Sequence, residues 1–156
     1  MFAMRIIRIG IVAAFIVAAV AAASHSQAVE AKPGPGREVL LRLCAECHGI
    51  EDVIASRRST EQWRSVIDKM LDKGASGSDE EIATVLKYLT TAYGRVNVNK
   101  APAAEIAQVL AIPQEQADAI VKLRTDNGPF ADFDALAKVS GLDVEKLTKQ
   151  RDAISF

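Results

Sequence analysis

The only two cysteines of this 156-residue chain lie three positions apart, and a histidine follows the second at once: Cys44-Ala45-Glu46-Cys47-His48. Three sulfur- and nitrogen-bearing side chains are thereby packed into little more than one helical turn. The surrounding pattern is helical. Val39, Leu40 and Leu43 fall at helical spacing and lead into the motif. Ser59 or Thr60 can cap a second helix, with Gln62 in capping-box register to Ser59. Its apolar face is Trp63, Val66, Ile67, Met70 and Leu71, and Gly74 sits where a left-handed cap would close it. Ser78 and Glu81 open a third helix with the stripe Ile82, Val85, Leu86 and Leu89, ending before Gly94. Three helices of this length cannot stabilise a core by apolar burial alone. Something bulky and apolar is missing from the inventory.

The motif narrows what that body is. A thioredoxin-like dithiol needs a βαβ setting, which a region expected to be helical throughout does not offer. Structural zinc needs four ligands, and beyond residue 28 the chain has no other cysteine or histidine. A simple disulfide makes no use of His48. Two thiols on one turn can instead add across the two vinyl groups of a haem while the next residue turns its imidazole to the iron. The expectation is one covalent haem c held by Cys44 and Cys47, with His48 as axial ligand.

Met70 is the one methionine beyond residue 28 and lies in the middle of the second helix's apolar face. Methionine commonly partners histidine in electron-carrying haem proteins, so Met70 is the expected sixth ligand; ordinary core packing is the alternative. Arg57 and Arg58 are candidates to neutralise haem propionates, or else a solvated pair. Trp63 suits the macrocycle edge or the core equally.

These residues resemble those of a c-type cytochrome. More narrowly, residues 44–90 are similar to the haem domain of quinohaemoprotein amine dehydrogenases, through Cys-x-x-Cys-His, Arg57 or Arg58, Trp63, Met70, Gly74 and the helix closing in Tyr88-Leu89. The stretch between His48 and Met70 is shorter than small cytochromes c usually have. The propeller and quinone-bearing parts of those enzymes have no counterpart in the sequence, so the resemblance implies electron transfer and not amine oxidation.

Met1 to Ala28 reads as a secretory signal peptide. Arg5 and Arg8 precede the uncharged run Ile9 to Ala23, and Ser26-Gln27-Ala28 offers a small-residue cleavage site. The run falls short of the roughly 20 residues of a permanent bilayer span, so membrane attachment is expected only if the signal stays uncleaved. Export to a bacterial periplasm, an oxidising compartment, is the implied location. The remaining chain carries 17 basic and 20 acidic side chains, which excludes a polybasic tail. Its aliphatic content excludes wholesale disorder, and two cysteines exclude a disulfide-dense scaffold.

From Arg95 the texture changes. Val96-Asn97-Val98-Asn99 is a short extended piece, and helices are expected at 102–110, 114–125, 133–138 and 143–152, broken by Pro113, Asn127-Gly128-Pro129 and Gly141. With Ala117-x-x-Ile120, Arg124-x-x-Asn127-Gly128-Pro129-Phe130 and Val139-x-Gly141-Leu142, this part resembles the paired helix-hairpin-helix module of the late-competence DNA receptor and of an extrinsic photosystem II subunit. DNA-binding members carry a Gly-hydrophobic-Gly turn whose amides meet phosphate. Here the turns read Ala111-Ile112-Pro113 and Gly141-Leu142-Asp143. Pro113 has no N–H to give, and the Asp143 carboxylate repels phosphate. Eight basic and nine acidic residues from Arg95 onward supply no bulk positive charge, although Lys100, Lys122, Arg124, Lys138 and Lys146 are the residues that could form a local patch. A protein-docking surface is expected, and nucleic acid is not.

The sequence thus predicts an all-α chain: a signal peptide over 1–28, a small cytochrome c-like haem domain over 29–94 and a paired helix-hairpin-helix domain over 95–156. The expected role is that of a periplasmic electron carrier, not an enzyme, between a dehydrogenase and an acceptor. The alternatives are a DNA-binding competence-type protein bearing a haem, and a haem sensor or enzyme with an open sixth position.

Overall fold

The computed structural model describes residues 30–156, so the expected signal peptide lies outside the described residues. Four helices come first: α1 (Arg37–Cys44), α2 (Glu51–Ile54), α3 (Thr60–Asp72) and α4 (Asp79–Tyr93). A second set follows the short strand β1 (Val96–Asn97): α5 (Ala103–Leu110), α6 (Gln114–Asn127), α7 (Phe133–Leu136) and α8 (Val144–Lys149), then a 3-10 turn at Arg151–Ala153 and the strand β2 (Ile154–Ser155). The fold is all-α apart from β1 and β2, which pair in parallel with Val96 opposite Ile154. That pairing joins the two ends of the second set.

Both expected capping boxes form. The Ser59 and Ser78 hydroxyls accept from the amides of Gln62 and Glu81, whose side chains accept from the cap amides in return. Each cap is worth about 1 kcal/mol. The end of α3 is equally specific. Gly74 adopts φ +100°, its N–H donates to the Leu71 carbonyl, and the Ala75 N–H donates to that of Met70. This is a Schellman closure, and it needs a residue free to enter the left-handed region.

Two buried clusters divide the described chain. Leu40, Ile54, Trp63, Ile67, Val85 and Leu89 anchor the first; Val98, Ile106, Leu110, Ile120, Leu136 and Leu147 anchor the second. The leader before α1 is non-helical, as its prolines dictate. It straps onto α4: the Lys32 N–H donates to the Tyr93 hydroxyl at 2.6 Å, and the Tyr88 hydroxyl donates to the Lys32 carbonyl.

The units are tied across their boundary. Arg57 Nε donates to Asp152 Oδ2 at 2.6 Å and its Nη1 to the Gly94 carbonyl at 3.0 Å. The Thr60 hydroxyl donates to Glu105 Oε1 at 2.7 Å.

Candidate functional site

α1, the loop after it, α3 and α4 enclose an apolar cavity. Leu40, Val66, Ile67, Ile82, Val85 and Leu89 form its walls, and no charged side chain lines it. Three of the predicted residues open onto it: Cys44, His48 and Met70. They come from separate places in the sequence. Cys44 ends α1, His48 lies in the turn beyond, and Met70 sits in the last turn of α3, where the Schellman closure fixes the following Ala75 and Ser76 against the same cavity.

The histidine is oriented for coordination. Its Nδ1 lies 2.7 Å from the Gly49 carbonyl oxygen. A carbonyl can only accept, so Nδ1 is the protonated nitrogen of the neutral ring and Nε2 the one available to a metal, as where a backbone carbonyl orients a ligating imidazole.

The cysteines differ from expectation. The helix stops at Cys44, with Ala45 as its C-cap, and residues 45–47 form turns, so the two thiols do not share one helical turn. Gly49, a poor helix former, follows directly and does not favour continuation. Cys44 is half-buried and lines the cavity; Cys47 is exposed and does not line it. Burial raises the Cys44 thiol above its ordinary pKa. A redox dithiol gains its reactive thiolate from a helix N-terminus or nearby cations. A half-buried thiol at a helix C-terminus is the opposite environment. The thioredoxin-like reading therefore fails here for a reason besides the missing βαβ unit.

The residues fit a covalently held macrocycle in chemistry: an apolar wall, a thiol, an imidazole with a free lone pair and a thioether face one space. The space itself is narrow, with about 30 Å³ open to a water-sized body, so such a group enters only as the walls part. The turn carrying Cys47 and His48 is exposed. Among the described residues, no group of three or more His, Cys, Asp or Glu gathers as a metal cage.

Arg57 and Arg58, the candidate partners of an anionic edge, have protein partners of their own. Neither lines the cavity. Arg57 is engaged by Asp152 and Gly94, and Arg58 donates to the Val53 carbonyl at 3.0 Å while stacking over the Trp63 ring. Trp63 itself is fully buried, its indole N–H donating to the Tyr93 carbonyl at 3.1 Å. Its place is the core. Sequence reasoning missed the residues that tie the units together, because Arg57, Thr60, Glu105 and Asp152 show no periodicity and meet only in the folded chain.

In the second unit two helical hairpins follow one another, and the turn of the second lies thirty positions after that of the first. The turns are Ala111-Ile112-Pro113 and Gly141-Leu142-Asp143, with Ala111 at φ +46° and Gly141 at φ +84°. Pro113 caps α6 without an N–H, and Asp143 caps α8 by accepting from the Lys146 amide at 3.0 Å. The chain's own carboxylate thus takes the amide that a phosphate would use. Three of the five basic residues that could form a patch are engaged internally: Lys122 with Asp126, Arg124 with the Val98 carbonyl and Lys146 with that of Ala111. The strings that carried the resemblance also meet, since the Asn99 side-chain amide both donates to and accepts from the Phe130 backbone.

No curated protein and no solved structure matches the chain at a significant level. Residues 91–155 match the helix-hairpin-helix motif, so the second unit is a helix-hairpin-helix module.

Proposed function

We propose that this chain is an exported c-type cytochrome with a single haem, an electron carrier whose helix-hairpin-helix module holds a protein partner. The observation that carries the reading is the convergence of Cys44, His48 and Met70 on one uncharged cavity. Bound there, haem would supply a one-electron ferric–ferrous couple at neutral pH. Cys44 and Cys47 would anchor it covalently, and the Gly49 carbonyl would hold His48 in the tautomer that presents Nε2. Met70 would hold the iron through its thioether and favour the reduced state. The apolar walls would exclude water, which makes the extra positive charge of the ferric state costly and so raises the potential. The signal peptide over 1–28, the periplasmic location and a dehydrogenase or oxidase as partner belong to the same reading. The test is production with a c-type maturation system, followed by spectra of the alkaline pyridine complex and a redox titration. A reversible one-electron wave from a covalently attached haem supports the reading; a colourless product made alongside a correctly matured control cytochrome rejects it.

A second reading has one observation in its favour: helix-hairpin-helix motifs are typically associated with nucleic acid. Against it stand Pro113, the Asp143 cap and the engaged basic residues. Gel retardation of duplex DNA at low salt, abolished by Lys100→Ala or Lys122→Ala, is the result that would favour it.

A further inference from the structure

Apart from the apolar cavity, an open cleft of about 700 Å³ lies where the proline-rich leader, α4 and the end of α8 meet. Its wall carries Lys32, Arg57, Lys87 and Lys149, and no carboxylate lines it. Its floor is less polar, with the Tyr88 ring and Val109 among its residues. We propose that this cleft binds an extended acidic segment of a partner polypeptide.

The charge argument is one of segregation. From residue 29 onward the chain has more acidic than basic side chains, yet four cations are gathered along one cleft. Two carboxylates stand next to it: Asp152 holds Arg57, and Glu145 pairs with Lys149 at 2.7 Å between two largely exposed side chains. An exposed pair of that kind contributes little and exchanges readily for another carboxylate. Lys32 is fixed by donating to the Ala92 carbonyl at 2.9 Å, which leaves two ammonium protons for a ligand. Burial first, and the neighbouring Arg57 charge second, lower its pKa, so an arriving anion relieves an existing repulsion.

The shape selects the ligand class. Small-molecule sites enclose most of their ligand and converge a few polar groups on it. Here the three lysines are exposed and come from three separate segments along an open cleft. A chain with carboxylates at intervals and small apolar residues between them matches both rim and floor. The inference does not depend on what occupies the apolar cavity.

The experiment uses the full exported protein as purified and a short fluorescein-labelled peptide of alternating glutamate and alanine, read by fluorescence polarisation at low salt. The comparison sets are K32Q/K87Q/K149Q in the cleft and K69Q/K100Q/K138Q elsewhere on the surface. The cleft set is expected to weaken binding about tenfold and the surface set to leave it within about twofold, because both remove the same net charge. Equal weakening by the two sets would overturn the proposal, as would no binding to the unaltered protein. Cleft-dependent binding of a DNA duplex tighter than that of the peptide would overturn it in favour of nucleic acid. Circular dichroism establishes that both triple variants are folded, and K87Q alone, at an exposed helix position, provides a second variant expected to weaken binding in the same direction.

Discussion

Gln116 and Lys146 occupy the same place in the two hairpins, and each bonds to the turn of the other. The Gln116 side-chain amide donates to the Gly141 carbonyl at 2.7 Å, while the Lys146 ammonium donates to that of Ala111. Both are the third residue of the second helix in their hairpin. Each closes the turn that, in a phosphate-binding module, would be left for a ligand.

Gln116→Ala and Lys146→Ala are each expected to cost about 0.5 kcal/mol, the low end for a hydrogen bond, because both bonds are exposed to solvent. Urea unfolding of the single and double variants checks this. The bonds lie at related positions on one interface, so the double variant is expected to depart from simple additivity.

Ala111 is the only non-glycine residue with positive φ among the described residues. A left-handed alanine costs about 1–2 kcal/mol, and glycine there gives back part of that gain through the entropy of the unfolded chain. Ala111→Gly is therefore expected to stabilise the protein by about 0.5–1 kcal/mol, read as a higher urea midpoint.

Arg57 and Asp152 make the unit boundary sensitive to acid. Burial pushes the Asp152 carboxyl up, but the hydrogen bond and charge of Arg57 outweigh it and hold the pKa below its ordinary value. The contribution is therefore complete above the unfolded value of about 3.9 and disappears as pH falls through the lower folded value. Asp152 is two-thirds exposed, so screening keeps the gain to about 0.5 kcal/mol. Asp152→Asn is expected to lower stability at pH 6 and to converge with the unaltered protein as pH falls through the lowered folded value. Thermal unfolding across that range measures it.

Trp63 separates core from cofactor. Trp63→Phe removes the indole donor to the Tyr93 carbonyl, which still accepts from the Arg58 N–H at 3.2 Å. The expected loss is about 1–2 kcal/mol from the missing bond and the smaller ring. The haem absorption bands should not move, because Trp63 does not line the cavity. A shifted spectrum would place the indole against the macrocycle.

Met70 is tested by Met70→Ala in the haem-loaded protein. The expected results are loss of the weak methionine–iron charge-transfer band, a lower potential and faster carbon monoxide binding to the ferrous form. An unaltered spectrum would return Met70 to the role of a packing residue.

Much of this fold could be read from local chemistry. The Ser59 and Ser78 boxes, the Gly74 closure and the apolar stripe ending in Met70 are all decided within a few residues, so their positions follow from spacing. The pairing of β1 with β2 could not be read, because two residues at each end of a module carry no periodic signal. The short α2 was hidden for the same reason. At the site, the sequence identified Cys44, His48 and Met70 by scarcity and spacing, and they do line one cavity. Nothing in Ala45-Glu46 announces that the helix ends at Cys44, so the turn carrying Cys47 could not be read. Nor could the partners of Arg57 and Arg58, because Asp152, Gly94 and Val53 are brought to them only by the tertiary fold.

The intact mass of the exported protein, taken before and after acid–acetone extraction, tests the central claim most directly. The account predicts one species, heavier than the processed polypeptide by a single haem, whose mass survives extraction and whose Cys44 and Cys47 resist alkylation. A polypeptide of unmodified mass with both thiols open to alkylation would contradict it.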